Sequence, residues 1–208
     1  MLLPIYLKLN NKEVLVVGGG SVAQRKIEIL LKTGANITVI SPDITDDLLS
    51  MVKSGKINWE NRKISDNEDY NKYYLIFAAT NDSKINNDIK SVSEEFNIPV
   101  NAVDDPENCD FFIPSIYNRG DLIISVSTSG KSPSLAKNLR IFFEEFFNDN
   151  LLRILDELSS KREELLVKSN SGNNNVSILN KLALNKILDL LDKISIDEIK
   201  EKLIKKGA

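Results

Sequence analysis

The 208 residues carry 27 Lys and Arg against 30 Asp and Glu, a formal charge of −3, with no histidine and one cysteine, Cys109. That balance lacks the basic footprint of a nucleic-acid binder, and a single cysteine excludes an intramolecular disulfide or a cysteine-cluster metal site. Without histidine, proton transfer near neutral pH falls to carboxylates, tyrosines, lysines, Cys109 or the substrate itself.

No apolar run approaches the roughly 18–20 residues of a membrane span. The start, Met-Leu-Leu-Pro-Ile-Tyr, lacks a basic leader and a small-residue cleavage site, so the expected location is the cytoplasm. Pro4 to Leu9 alternates apolar residues and predicts a short edge segment. Val14 to Val17 is an apolar, largely β-branched run of the kind that forms a strand buried on both faces. Gly18 to Gly20 breaks it, and Val22 to Leu31 resumes with helical spacing. The junction fits G-x-G-x-x-A, with Gly18, Gly20 and Ala23 at the small positions. Gly18 permits the tight turn, Gly20 lets a pyrophosphate approach the backbone, and Ala23 lets helix and strand pack closely. Free N–H groups at the helix start, at the positive end of its dipole, then suit the phosphates. A second strand, Asn36 to Ile40, follows the helix, which is the context a dinucleotide-binding unit requires.

Ser41-Pro42-Asp43 ends that strand, Asp46 to Val52 reads as a short helix and Ile57 to Trp59 as a third strand. Asp66 to Lys72 is polar and reads as a surface connection or a brief helix. Tyr74 to Thr80 is a fourth strand. Asn81-Asp82 caps a helix over 83–97 whose apolar face is Ile85, Ile89, Val92 and Phe96. Pro99 to Val103 is a fifth strand, ending at Asp104-Asp105-Pro106. Strands separated by helices at this spacing predict a parallel sheet covered on both sides, with ligands beyond the carboxyl ends of its strands. Gly18–Gly20, Ser41–Asp43, Thr80–Asn81 and Asp104–Asp105 are expected to gather on that edge.

The pattern then changes. Phe111 to Ile113 and Leu122 to Thr128 read as strands joined without a crossover helix. Pro133 to Phe147 reads as an amphipathic helix with Leu135, Leu139, Phe142, Phe143 and Phe146 on one stripe, either a core face or a subunit interface. Three helices follow, over 151–167, 176–191 and 196–204, with the polar loop 169–175 between the first two.

Two stretches carry chemistry besides the glycine turn. Ser129-Gly-Lys-Ser132 fails as a P-loop, because Ser125 holds the first glycine position. It reads instead as an anion-binding turn in which Ser127, Thr128 and Ser129 offer hydroxyls and Lys131 a charge, with Lys137 and Arg140 extending the positive patch; helix capping with solvated lysines is the plainer alternative. Asp104 and Asp105 stand where a strand meets a turn at Pro106, so either one carboxylate acts as an acid–base group or both shape the turn. No permanent metal is expected, since an all-carboxylate site there would need a hard, oxygen-loving ion.

Six motifs occur in order: Pro4-Ile-Tyr-Leu, Val16-Val-Gly-Gly-Gly-Ser-Val-Ala-Gln-Arg-Lys26, Ala78-Ala-Thr-Asn81, Asn101-Ala-Val-Asp-Asp-Pro106, Phe112-Ile-Pro-Ser115 and Ser127-Thr-Ser-Gly-Lys-Ser-Pro-Ser-Leu-Ala136. Over about residues 2–147 the chain resembles precorrin-2 dehydrogenase, the N-terminal module of siroheme synthase. The resemblance implies NAD-dependent oxidation of precorrin-2 to sirohydrochlorin in siroheme (tetrapyrrole, porphyrin) biosynthesis, a homodimer, and a catalytic aspartate at Asp104. It carries dinucleotide contacts to Ser21, Val22, Pro42 and Asp43, beside Gly18, Gly20 and Thr80 of the sheet edge. Some members also insert iron, so a bifunctional dehydrogenase and ferrochelatase is one alternative; a non-catalytic NAD-sensing Rossmann module is another. The large methyltransferase domain of fused members is not in these 208 residues, so the two methylations are expected to be done elsewhere.

The expected fold class is α/β: a Rossmann-type parallel sheet, then a small α+β dimerisation segment and a helical C-terminal tail. The expected domains are 1–110 for NAD, 111–150 for dimerisation and substrate, and 151–208 for the helical tail. The polycarboxylate substrate suits a cleft with Arg119, Ser127, Thr128, Lys131, Ser132, Lys137 and Arg140 near its mouth. Asp43, with no Lys or Arg between Ile40 and Val52, favours NAD over NADP. Neither nucleic acid nor a membrane is an expected partner.

Overall fold

Strand β1 (Glu13–Val17) is the centre of the first layer, and its alternation explains why. Leu15 and Val17 enter a cluster on one face of the sheet with Ile76, Ile89 and Val100, while Val14 and Val16, fully buried, point to the other. A strand apolar on both faces has to be sandwiched, and each branched side chain so buried contributes about 1.5–3 kcal/mol. The computed structural model describes residues 2–65, 68–103, 105–147, 149–168, 172–192 and 195–207, and the chain divides into two units, 1–112 and 113–208.

In the first unit β1 pairs in parallel with β2 (Asn36–Ile40) and β4 (Leu75–Ala78). Strands β3 (Asn58–Glu60) and β5 (Val100–Ala102) complete the order β3-β2-β1-β4-β5. The order reverses between β1 and β4, the switch point at which open α/β sheets bind their ligands. Helix α1 (Ser21–Leu31) presents Ala23, Ile27 and Leu30 to the core, and α2 (Asp46–Lys53) presents Leu48. Helix α3 (Ser83–Glu95) is capped by Asp82, whose carboxylate accepts from the N–H groups of Lys84 and Ile85.

Two expectations need correcting in this unit, and a third is decided between its alternatives. Residues 2–9 form no strand: Leu2, Leu3, Ile5, Tyr6 and Leu7 are exposed, and both neighbours of β1 are already taken. The connection after β3, read as a surface connection or a brief helix, takes the second form at its end and reaches into the core. Tyr70, in a 3₁₀ turn over Tyr70–Lys72, and Tyr73 are buried in the core cluster; Asp66 and Asn67, the start of that stretch, lie outside the described residues. Phe96, expected on the apolar face of α3, lies just past its end and is exposed, while Asn86 and Ser93 are buried beside Ile89.

That connection is pinned by an ionic cluster. The Glu68 carboxylate, its side chain only 4% exposed, receives Arg62, Lys72 at 3.1 Å and the Tyr73 hydroxyl at 3.3 Å. Burial pushes Glu68 up, but the hydrogen bonds from Arg62 and Lys72 outweigh it and hold the acid below its ordinary range. The Tyr73 phenol is pushed up to about 12, chiefly by burial. A lowered carboxylate stabilises the fold above the ordinary carboxylate range, and that stability is lost as the pH falls through its folded value. Glu68→Gln should therefore unfold more easily than the parent at pH 7, by about 1–3 kcal/mol. Thermal melts should show the gap closing toward pH 3; a gap independent of pH would exclude the ionic role.

The second unit begins with an antiparallel hairpin, β6 (Ser115–Arg119) and β7 (Leu122–Val126), turning at Gly120 (φ +57°) and Asp121. The first of these strands starts later than the apolar run 111–113 suggests. Phe111 belongs to the first unit, where its carbonyl accepts from the Asn101 side chain at 2.8 Å and its ring meets Phe77 edge-on at 5.4 Å. Helix α4 (Pro133–Phe146) packs on the hairpin and on α7 (Ile196–Gly207); α5 (Asp149–Lys168) packs on α6 (Gly172–Leu191). Helix α6 thus takes in part of the expected polar loop, of which 169–171 lie outside the described residues. Glu145 of α4 receives Lys206 at 2.5 Å and Lys202 at 3.2 Å from α7. On α4 the buried residues are Ala136 and Ile141, whereas Leu135 is 51% and Leu139 36% exposed. Phe142, Phe143, Phe146 and Phe147 interlock with one another at the end of the helix. No helix among the described residues is long and apolar enough to cross a membrane.

Candidate functional site

Three loops meet at the carboxyl edge beside the switch point. The glycine turn after β1 is tied to β2 by Gly18 N–H donating to the Ile40 carbonyl at 3.0 Å. At φ +115°, Gly18 holds a conformation that disfavours any side chain, and a Cβ there would stand 2.2 Å from the Ala79 carbonyl oxygen. Gly20 differs: a Cβ built on it meets nothing within 4 Å, so the space over this residue is open. It stands at the N-cap of α1 with no side-chain cap and no acidic residue in the first turn. Backbone donors, a dipole end and an open approach form a cradle that fits the pyrophosphate of a dinucleotide. Ser21 and Val22 open the helix at the cradle, and Ala23, fully buried, keeps α1 close to the sheet.

The loop after β2 lies against this turn. Pro42 and Asp43 are exposed, and the Asp43 carboxylate makes no hydrogen bond among the described residues. Ser41 Oγ donates to the Asp43 carbonyl at 2.7 Å, and Trp59 Nε1 donates to the Ser41 carbonyl at 3.0 Å. The loop after β4 is held by Asn86, which sequence reading passes over. Its Oδ1 accepts from Thr80 Oγ1 at 2.8 Å, and its Nδ2 donates to the Thr80 carbonyl at 3.1 Å. Thr80 Oγ1 also accepts from Asp82 N–H at 3.2 Å, so Thr80 acts as a brace of its loop. The one available signal was an asparagine on the apolar face of α3.

After β5, Val103 N–H donates to the Ala78 carbonyl at 2.9 Å. Asp104, the expected acid–base group, lies outside the described residues. Asp105 caps the 3₁₀ turn Pro106–Asn108, accepting from the Asn108 side chain at 2.6 Å. Its neighbour Cys109 donates its thiol to the Ala102 carbonyl at 3.0 Å, and burial pushes that thiol up. Asp110 accepts from Val100 N–H at 2.9 Å and from Lys90 at 2.7 Å. No group of three or more His, Cys, Asp or Glu that could hold a metal ion occurs among the described residues.

The remaining candidates belong to the second unit. Ser127, Thr128, Lys131 and Ser132 form the turn before α4: Thr128 Oγ1 accepts from Ser132 N–H at 3.0 Å, and Ser132 Oγ accepts from Leu135 N–H at 3.2 Å. Part of their bonding capacity therefore goes to capping. Lys131 is exposed at the turn before α4, and Lys137 is exposed about one turn in from the start of the helix at Pro133. Arg140 pairs with Glu144, and Arg119 donates to the Phe147 carbonyl at 3.4 Å.

A family model described as NAD(P)-binding matches residues 5–115, so the cofactor of this chain is a nicotinamide dinucleotide. A precorrin-2 dehydrogenase of Bacillus subtilis is 34% identical over 163 residues, covering 78% of this chain and 99% of that protein. Siroheme synthases of Methylobacillus flagellatus and Psychrobacter cryohalolentis are 35% and 41% identical, over 82% and 68% of this chain. The chain spans 36% and 27% of their respective lengths. The solved structure of SirC, a precorrin-2 dehydrogenase, superposes with a TM-score of 0.68 at 25% identity, covering 98% of each chain. With the uncapped glycine turn at the switch point of a five-stranded parallel sheet, these likenesses show that the chain belongs to the precorrin-2 dehydrogenase family.

Proposed function

We propose that the chain oxidises precorrin-2 to sirohydrochlorin with NAD, in the cytoplasm, as a step of siroheme biosynthesis. The observation that carries the reading is the open cradle over Gly20 at the uncapped start of α1, in a chain that spans nearly the whole of a precorrin-2 dehydrogenase. NAD, when bound, supplies the nicotinamide ring that accepts hydride. The chain does the rest: the first-turn N–H groups at Ser21 and Val22 hold phosphate, and the exposed Asp43 accepts from ribose hydroxyls and repels a 2′-phosphate. Asp104 takes the proton that leaves the substrate carbon, and Asp105 keeps the turn beside it in shape. Arg119, Ser127, Thr128, Lys131, Ser132, Lys137 and Arg140 offer charge and hydroxyls to the carboxylates of the macrocycle. The test is to supply precorrin-2 with NAD or NADP and follow NADH or NADPH appearing together with the change in the tetrapyrrole spectrum. Dinucleotide binding without turnover would reduce the chain to a sensing module, and equal efficiency with NADP would remove the role given to Asp43. Ferrous or cobaltous ion added after oxidation tests for the chelatase reaction.

The working form in this proposal is a homodimer built on the hairpin and α4. Ile123, Leu135 and Leu139 are exposed there beside half-buried phenylalanines, more apolar surface than the elements themselves cover. Charged residues at Leu135 and Leu139, which the unit does not bury, should give folded monomers by sedimentation. A wild-type monomer at micromolar concentration would overturn the dimer.

A further inference from the structure

The dinucleotide fingerprint leaves its second position open, and Gly19 fills it. Gly19 is not in the left-handed region, so its backbone does not require glycine; the space around it does. A Cβ on Gly19 would lie 2.1 Å from the Asp43 carbonyl oxygen, 2.7 Å from Ile44 Cγ2 and 3.0 Å from Ile44 Cα. The Asp43–Ile44 peptide is therefore seated directly on the Gly19 Cα. One residue on, Thr45 N–H donates to the Gly19 carbonyl at 3.1 Å. Thr45 Oγ1 donates to Gln24 Oε1 at 2.8 Å, and Gln24 Nε2 donates to Asp47 at 2.9 Å. Gln24 is one turn into α1, so the helix at the cradle also grips the far end of the Ser41–Thr45 loop. The near end is gripped by β3, through Trp59 Nε1 on the Ser41 carbonyl. Held at both ends and pressed on Gly19, the loop carries at its middle the exposed Asp43, whose carboxylate makes no hydrogen bond among the described residues.

We propose that Gly19, Thr45 and Gln24 form the seat of the Ser41–Thr45 loop and thereby set the choice between NAD and NADP. They are positioning residues: they act through Asp43, on the cofactor assigned above. A carboxylate discriminates a ribose hydroxyl from a 2′-phosphate only while it is fixed at the right place, so displacing the loop costs discrimination before it costs phosphate binding.

The chain's single tryptophan is the reporter, since Trp59 touches this loop. Titrations of the full chain with NADH and with NADPH, read by quenching of Trp59, give two dissociation constants. Thermal melts without dinucleotide show that each variant is folded. The wild type should bind NADH the more tightly. Gly19→Ala should lower that preference by about tenfold, the worth of a charge-assisted hydrogen bond, while NADPH affinity changes little. Thr45→Val and Gln24→Ala should lower it by about threefold, and Thr45→Ser, which keeps the hydroxyl, should retain it. If a folded Gly19→Ala weakens both dinucleotides equally, or leaves both unchanged, the seat is wrong. If Gly19→Ala does not fold, an unchanged preference in Gln24→Ala overturns it just as well. A wild type that binds neither dinucleotide would overturn the cofactor assignment itself, a result distinct from these.

Discussion

Asp104→Asn is expected to fold, to bind NAD as the parent does, and to oxidise precorrin-2 slower by about 100-fold or more, the scale of a lost general base. The role proposed for this residue draws support from the chemistry and from how its neighbours are engaged. Hydride transfer from a carbon leaves a proton to be removed, and a chain with no histidine has few groups able to take it near neutral pH. Among the aspartates around β5, Asp105 is engaged by Asn108, and Asp110 by Lys90 and the Val100 N–H. In sequence Asp104 directly follows Val103, whose N–H donates to the Ala78 carbonyl at the end of β4. Asp105→Asn should instead act through the turn, lowering stability with a smaller loss of rate. The decisive comparison is single-turnover oxidation at saturating NAD for the two variants. Nearly full activity in Asp104→Asn would send the proton to water or to the substrate's own carboxylates.

Gly20→Ala should keep the fold and lose NAD. The φ of Gly20, −82°, suits alanine, and the added methyl meets no protein atom within 4 Å. That methyl would instead stand in the cradle, so NADH affinity should fall by at least about tenfold, with the melting temperature of the unliganded protein unchanged. Gly18→Ala should do the reverse. At φ +115° and 2.2 Å from the Ala79 carbonyl, its methyl forces β1 and β4 apart, and destabilisation beyond the roughly 1–3 kcal/mol of backbone strain alone is expected. Calorimetry with NADH on both variants checks the pair. An undiminished affinity in Gly20→Ala would move the dinucleotide off the glycine turn.

The contrast between these glycines marks what a sequence discloses. The β1–α1 junction was legible because each signal agrees: an apolar β-branched run, a glycine break, then helical spacing. The same clarity held for β2 and β4. Strand β6 was misplaced because the apolar run 111–113 looks like a strand, whereas Asn101 and Phe77 hold Phe111 in the first unit. Such a claim by a distant side chain leaves no periodicity in the sequence. Asn86 and Gln24 were silent for a related reason, since a polar residue on a helix carries no sign of the loop it will hold. Gly19 was hidden by the fingerprint itself, which assigns its position no task. The expected stripe on α4 was apolar as read, but sequence does not say which neighbours arrive to cover it, and Leu135 and Leu139 remain exposed.

The division of the chain at residue 112 also has a consequence for its synthesis. All five strands of the parallel sheet, and the Asp110 bond that ties down the end of β5, lie in the amino-terminal half. A ribosome delivers that half first, so its sheet can close while the rest is still being made. Helix α4 is in a different position. Its Glu145 waits for Lys206, 61 residues later, before the α7 contact can form. At about 5–20 residues per second, that interval lasts roughly 3–12 s. For those seconds the nascent chain holds the residues of the dinucleotide fold followed by a helix still waiting for its α7 neighbour, an interval in which a chaperone can engage it.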